Sequence, residues 1–183
     1  MISFAWEAAS RFISLESIRR ANVIVQTGDI PDYAKIKEML SKGYVICKAT
    51  VISGQPLELS TGAVLKDKEI VEMKKGSIAV SGIAKPERFR ATLDENGYIV
   101  LNHLTFPDHH NYSVNDVSRI VKECERKIVN FVITTEKDAV KLRKYETMFE
   151  NKNIIVCTLP VEIKVSEGKE ELMKIIGELF VDK

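Results

Sequence analysis

Short apolar runs alternate with helical patterns through the C-terminal part of the chain. The runs recur at Ser77–Ser81, Tyr98–Leu101, Asn130–Thr134 and Ile154–Cys157. Between them, apolar residues recur at the spacing that is typical of a helix with one buried face. Parallel strands that are buried on both faces consist of such apolar runs. The pattern therefore predicts a three-layer α/β/α fold with a mainly parallel sheet.

Capping residues mark where these helices begin and end. Pro86 suits a first helical turn, where its missing N–H costs no hydrogen bond, and Asn96-Gly97 ends that helix. Two pairs have the spacing of a capping box, Ser113 with Asp116 and Thr135 with Asp138. The helices after these two caps have apolar faces made of Val114, Val117, Ile120, Val121 and Cys124, and of Ala139, Val140 and Leu142.

The N-terminal part is less regular and predicts a smaller α/β segment. Its expected elements are a helix with an apolar face over Ile2–Phe12, a strand at Val23–Val25, a helix at Tyr33–Leu40 and an exposed strand at Tyr44–Ile52. From residue 53 to residue 75 the pattern is weak. We place a boundary near residue 75, which separates a segment over 1–75 from a C-terminal α/β lobe over 76–183. A last helix carries Leu172, Ile175, Ile176, Leu179 and Phe180 on one side.

Composition narrows the class of protein. The chain holds 27 Lys and Arg against 26 Asp and Glu, and this balance argues against a nucleic-acid partner. No apolar run reaches the ~20 residues that span a bilayer, and the N-terminus lacks the features of a secretory signal, so we expect a cytoplasmic protein. Cys47, Cys124 and Cys157 match no disulfide or zinc pattern and are expected to be small apolar residues in strands and a helix.

Ligands of parallel α/β sheets bind at the carboxyl ends of the strands. The loop at 106–113 follows such an end and carries Asp108, His109 and His110. A histidine beside a carboxylate acts as a base, orients a base or binds a metal. A second interpretation stays open, and the residues alone favour it: a polar loop whose aspartate caps a turn. A metal site is favoured least, because the ligand spacing matches no standard motif.

Three segments, taken in order, resemble the C-terminal part of tetraacyldisaccharide 4'-kinase, the lipid A kinase family. They are SGIAKPERF at 81–89, FPDHHNY at 106–112 and TTEKDAVKL at 134–142, and IRRANVIV at 18–25 is a fainter match. Each of the three lies at a predicted strand end, and their order makes the resemblance specific.

The resemblance implies an enzyme of two α/β lobes with its active site in the cleft. Such enzymes use ATP and magnesium to phosphorylate the 4'-hydroxyl of a tetraacyldisaccharide 1-phosphate at the cytosolic face of the inner membrane. The first lobe carries the phosphate loop, the metal-binding acidic pair and a catalytic aspartate. The second lobe contributes the first histidine of the FPDHH motif, here His109, which pairs with that aspartate. Asp108 would support this histidine or shape its turn.

Two other loops hold candidate substrate-binding residues. Gly82 and Lys85 lie where a helix N-terminus suits an anion, and Thr135 and Lys137 would touch a nucleotide or a lipid headgroup. A structural alternative stays open for both loops and is favoured: a tight strand–helix connection at Gly82, and helix capping by Thr135.

The sequence contains no phosphate loop of the form Gly-x-x-x-x-Gly-Lys-Ser/Thr and no strand that ends in an Asp-Asp pair. Only Gly168 precedes a lysine, and Ile163 and Glu170 occupy the other required places. We therefore expect neither ATP nor magnesium to bind this chain alone, and expect it to be inactive by itself. It would be a truncated product or part of a split kinase, with the N-terminal lobe as its partner and the lipid A disaccharide precursor as its substrate.

Other interpretations remain beside the kinase. In one of them, the chain is a non-catalytic remnant or a module that binds a partner through its cleft face. In the other, it is an unrelated α/β domain that binds a small phosphorylated ligand at the Gly82 loop. The apolar stripe around Trp6 suits a lipid interface, which would make the protein peripheral to the inner membrane. Packing of this stripe against the domain is favoured, because Arg11 is its only basic residue.

Overall fold

The computed structural model describes Ala21, Val23–Thr27, Gly43 and residues 45–181. The chain divides into two compact units, one made of residues 1–52 with 162–183 and the other of residues 53–161. The boundary that we expected near residue 75 falls inside the second unit. The helices expected over Ile2–Phe12 and Tyr33–Leu40 lie outside the described residues.

The unit of residues 53–161 is built on a five-stranded sheet. Its strands are β3 (Leu57–Glu58), β4 (Ser77–Ser81), β5 (Val100–Thr105), β6 (Phe131–Thr134) and β7 (Ile155–Thr158). They lie in the order β3-β7-β6-β4-β5. All neighbours are parallel except β3, which pairs with β7 in the antiparallel direction. The mainly parallel sheet is therefore confirmed.

Five helices follow the strands of this unit. They are α1 (Asp67–Lys75), α2 (Pro86–Glu95), α3 (Val114–Lys127), α4 (Glu136–Leu142) and α5 (Glu146–Glu150), and a 3-10 turn at Arg143–Tyr145 joins the last two. Pro86 opens α2, as predicted. Ser113 and Asp116 form a complete capping box on α3, and the Thr135 hydroxyl accepts from the Asp138 N–H at the start of α4. These local signals are all confirmed.

Two apolar clusters cover the two faces of the sheet. Ile78, Val80 and Val132 pack with α3 residues such as Ile120 in one cluster, while Ala79, Phe131 and Ile133 pack with Met73 of α1 and Leu93 of α2 in the other. Neighbouring residues of one strand enter opposite clusters because side chains alternate across a sheet. A sheet with helices on both faces is the predicted three-layer α/β/α arrangement.

The structure corrects the prediction at several places in this unit, and neither β3 nor α5 was predicted. Helix α1 was not predicted, because six of its nine residues are charged and Met73 alone is buried. Val114 and Val140 were placed on apolar faces, yet they are 56% and 76% exposed. Val114 opens the 14-residue α3. The buried residues of this helix begin one turn later, at Val117.

The other unit contains a three-stranded sheet. Strands β1 (Val23–Thr27), β2 (Val45–Ser53) and β8 (Val161–Glu167) lie in the order β1-β2-β8, and helix α6 (Lys169–Val181) follows β8. Strand β2 alternates buried and exposed residues, with Cys47 and Ala49 buried, so it is half-buried and not exposed as predicted. Its Cys47 thiol donates to the Gly168 carbonyl at 3.1 Å.

The three cysteines behave as the sequence predicts. Cys47 and Cys157 lie in strands and Cys124 lies in a helix, and all three are free and buried. Burial raises the pKa of each thiol. In the part of the chain that the structure describes, no helix is both long enough and apolar enough to cross a bilayer.

Candidate functional site

Three loops meet at the carboxyl edge of the five-stranded sheet. They follow β4, β5 and β6, which are parallel neighbours in the order β6-β4-β5 and therefore end at the same edge. Hydrogen bonds tie the loops together: the Gly82 N–H donates to the Asp138 carboxylate at 2.9 Å, and the His109 N–H donates to the Gly82 carbonyl at 3.1 Å. The structure thus brings together the three segments that the sequence singled out.

His109 stands at the tip of the loop after β5. Its φ of 58° lies in the left-handed region, which is uncommon for a residue with a side chain and marks a position worth attention. The His109 side chain is 81% exposed, and its Nε2 lies 3.8 Å from an Asp108 oxygen. The other Asp108 oxygen accepts the His109 N–H at 3.0 Å. The ring is therefore open to solvent, with a carboxylate beside it that also holds the turn.

His110 has a different environment from its neighbour. Its ring stacks on Phe106 at 4.8 Å and meets Tyr112 edge-on at 5.2 Å. Its Nε2 lies 3.1 Å from Asp116 Oδ2. The pKa of Asp116 is lowered mainly by hydrogen bonds from the Ser113 hydroxyl and N–H. His110 therefore links the loop to the first turn of α3, and its ring packs against the aromatic side chains of the same loop.

Asp138 is the residue of this site that the sequence did not reveal. We predicted it only as a capping residue, but its side chain is completely buried. One oxygen, Oδ2, accepts from both the Gly82 N–H and the Thr135 hydroxyl, the latter at 2.7 Å. Burial and then the Asp138 charge raise the pKa of the neighbouring Tyr112 phenol. A Thr-x-x-Asp pattern signals a helix cap, and nothing in it signals burial.

The four candidate substrate-binding residues differ in position. Gly82 is buried with its N–H bonded to Asp138, and Thr135 caps α4. The tight connection and the helix cap that the sequence favoured are thus confirmed. Lys85 is half-buried at the N-cap of α2, and Lys137 is exposed in the first turn of α4. Contact of these four residues with a ligand stays a prediction.

A second histidine contact lies next to the loops. The Ser81 hydroxyl, on the last residue of β4, lies 2.8 Å from His103 Nε2 on β5. No role was predicted for this pair from the sequence, because two residues 22 positions apart give no local signal. Among the described residues, no group of three or more His, Cys, Asp or Glu side chains is placed to hold a metal ion.

The fold and the site together define an α/β protein whose polar loops gather at the carboxyl edge of a parallel sheet, where this class binds its ligands. The family model for tetraacyldisaccharide-1-P 4'-kinase matches residues 14–180. The chain therefore belongs to this family, and the resemblance that its three segments carry is confirmed.

Comparison with individual proteins agrees with the family. The chain is 35% identical over 156 residues to a tetraacyldisaccharide 4'-kinase of Halothermothrix orenii, covering 79% of this chain and 40% of that protein. It is 34% identical over 146 residues to that of Bdellovibrio bacteriovorus, covering 80% of this chain and 39% of that protein. The chain thus spans about 40% of the length of these curated relatives.

A solved structure supports the fold. The crystal structure of an LpxK from Aquifex aeolicus in complex with ATP superposes with a TM-score of 0.58 at 23% identity. The match covers 91% of this chain and 45% of that one. At this level of identity the likeness concerns the fold.

Proposed function

We propose that this chain is the C-terminal part of an ATP-dependent kinase that phosphorylates the 4'-hydroxyl of the tetraacyldisaccharide 1-phosphate precursor of lipid A. The observation that carries the proposal is His109. Its ring stands exposed on a strand-end loop, inside a segment that the family match includes. Such a ring is free to meet a group on another part of the kinase or on a substrate.

The role of His109 follows from the chemistry of a sugar hydroxyl. A carboxylate alone is a weak base for this group, and a hydrogen-bonded imidazole orients the carboxylate and helps to hold the proton. His109 would pair in this way with the catalytic aspartate of the first lobe. Asp108, with one oxygen 3.8 Å from His109 Nε2, would hold the ring in place as a supporting carboxylate.

The neighbouring loops would hold the anionic parts of the reactants. Lys85 stands at the N-terminus of α2, where the helix dipole adds to its positive charge in attracting phosphate, and Lys137 is a further cation in the first turn of α4. Gly82 and Thr135 lie behind them and would shape the same loops. Phosphoryl transfer depends mainly on such positioning and charge neutralisation.

ATP and magnesium, which the resemblance implies for the family, would be bound by another part of the kinase. The sequence has no phosphate loop, and the described residues assemble no group of metal ligands. We accordingly propose the N-terminal lobe as the partner of this chain. The reaction would take place at the cytosolic face of the inner membrane, where the protein would be peripheral, because the substrate carries four acyl chains.

The test is a kinase assay in a polypeptide that joins this chain to a phosphate-loop lobe of the family. We expect His109→Ala to lower kcat about 100-fold, which is the lower end for loss of a group in proton transfer, with circular dichroism unchanged. Asn111→Ala is the matched control, since Asn111 is exposed in the same loop, and it should keep its rate. An unchanged rate in His109→Ala would remove His109 from the reaction.

The chain alone provides a second arm of this test. With ATP, magnesium and the tetraacyldisaccharide it should form no product, and turnover would contradict our interpretation of the absent phosphate loop. A rival function, a non-catalytic module that binds a partner, is favoured by that same absence. It would gain support if the joined polypeptide folds and binds ATP but transfers no phosphate.

A further inference from the structure

A chain of hydrogen bonds leads from the start of α4 to His109. The Thr135 hydroxyl donates to Asp138 Oδ2 at 2.7 Å, and the Gly82 N–H donates to the same oxygen at 2.9 Å. The carbonyl of Gly82 then accepts the His109 N–H at 3.1 Å. The two peptide units that flank Gly82 thus connect a buried carboxylate with the backbone of the exposed histidine.

Gly82 fits closely between the segments that it connects. A Cβ atom at this position would lie 3.1 Å from Asp138 Oδ1, 3.2 Å from His110 Cβ and 3.2 Å from the Pro107 carbonyl oxygen. These distances are shorter than ordinary van der Waals contacts of a Cβ atom, and the Pro107 oxygen belongs to the backbone. The position of Gly82 is therefore determined by Asp138 on one side and by the loop that carries His109 on the other.

The burial of Asp138 exceeds what a helix cap requires. Two other helices of this unit have an acid at the same third position, Glu69 on α1 and Asp116 on α3, and both are partly exposed. Burial of a carboxylate is unfavourable unless specific partners compensate. Asp138 Oδ1 and the Tyr112 hydroxyl are buried and interact with each other, and Lys141 Nζ lies 3.9 Å from the same carboxylate oxygen. Capping alone does not account for this arrangement.

We propose that Asp138 is a positioning residue for His109: its buried carboxylate holds the Gly82 peptide, which in turn holds the left-handed turn that presents the His109 ring. The role in catalysis rests on the proposed kinase function, whereas the positioning of the loop does not. Asp138 contacts no reactant in this scheme and acts only through Gly82.

The positioning can be tested in the chain itself by hydrogen exchange of backbone amides. Asp138→Ala removes the acceptor, so the amides of Gly82 and His109 should exchange at least about tenfold faster, while those of β6, which report opening of the core, keep their rates. Asp138→Asn should restore slow exchange, because its amide oxygen can take the place of Oδ2. Glu69→Gln is the control, since it alters an acid at the equivalent helix position away from these loops.

The consequence for catalysis can be tested in the joined kinase by a double-mutant cycle. We expect Asp138→Ala to lower kcat about 10- to 100-fold, as a small misplacement of a catalytic group does, with little change in KM for ATP. Asp138→Asn should recover most of the rate. In the His109→Ala background, Asp138→Ala should cause no further loss, because both changes remove the same contribution.

The outcomes separate the two proposals. If Asp138→Ala exchanges like the wild type at Gly82 and His109, or if its loss of kcat adds in full to that of His109→Ala, the positioning role is overturned. If His109→Ala itself keeps full activity, the proposed role of His109 in the reaction fails, while the exchange result still stands. Should Asp138→Ala not fold, Thr135→Val removes the hydroxyl that holds Oδ2, and Thr135→Ser should restore it, with the same readouts and the same criteria.

Discussion

The three histidines differ in solvent exposure and in the side chains that they contact. His109 is exposed and His110 is stacked in its loop, whereas His103 lies half-buried on β5, within 2.8 Å of the Ser81 hydroxyl and edge-on to Phe89 at 5.9 Å. Burial of the ring, and secondly the charge of Arg90, lower the pKa of His103 from its usual 6.5. The folded protein therefore favours a neutral His103.

A pH dependence of stability follows from this lowered pKa. Below pH 6.5 the unfolded chain binds a proton that the folded chain still rejects, so the free energy of unfolding falls as the pH drops from 6.5 toward the lower folded pKa. His103→Gln, which cannot titrate, should lose this part of the dependence. Urea unfolding at about pH 7.5 and about pH 5.5 measures it. Equal pH slopes in wild type and variant would contradict the assignment.

At the scale of elements, capping explains why the helices begin where they do. Ser113 and Asp116 satisfy each other's backbone groups at the start of α3, and hydrogen bonds from Ser113 lower the pKa of Asp116. The spacing of these two residues predicted this helix start. By contrast, Lys66 at the N-cap of α1 is not a residue type that signals a helix start, so that helix was missed although Glu69 accepts from the Lys66 N–H at 2.9 Å.

The cap of α3 should contribute measurably to stability. Ser113→Ala removes the hydroxyl that accepts the Asp116 N–H at 3.2 Å, and we expect a loss of about 1 kcal/mol in the free energy of unfolding. Ser118→Ala is the matched control, the same substitution in the interior of the same helix, and should change stability by less than about 0.5 kcal/mol. Denaturant unfolding compares the two. An equal effect of both changes would show that the cap is not the cause.

At the scale of the whole molecule, residues 53–161 contain a complete core. Both apolar clusters and all five strands of the larger sheet lie within this range. A segment with its own hydrophobic core meets the physical requirement for independent folding. The three loops of the candidate site also lie within it.

We therefore expect a polypeptide of residues 53–161 to fold by itself. Its amide spectrum should be dispersed, with the signals of β4 and β6 close to their positions in the whole chain, and it should unfold cooperatively in urea. A gradual transition with a collapsed spectrum would show that this core needs the rest of the chain. Ile120→Ala, which removes a buried side chain of α3, is the reference for a weakened core and should lower the midpoint.

The sequence alone was sufficient for the order of strands and helices from β4 to β7 except the short helix α5. It was also sufficient for the caps of α3 and α4, the burial of the cysteines and the family. Each of these depends on spacing within one segment or on short ordered motifs, which a sequence records directly. The prominence of His109 and Asp108 also came from such a motif. The division into two units was not predicted from the sequence, because residues 162–183 group with the N-terminal strands.

Only the tertiary structure showed that Asp138 is buried and bonded to Gly82, 56 residues earlier in the chain, and that Ser81 meets His103. It also showed that Val114 and Val140 face solvent. The reason is physical: burial and long-range hydrogen bonds depend on which strands become neighbours, and the order β7-β6-β4-β5 is set by the packing of the whole sheet. Local patterns specify the elements, and their assembly specifies the site.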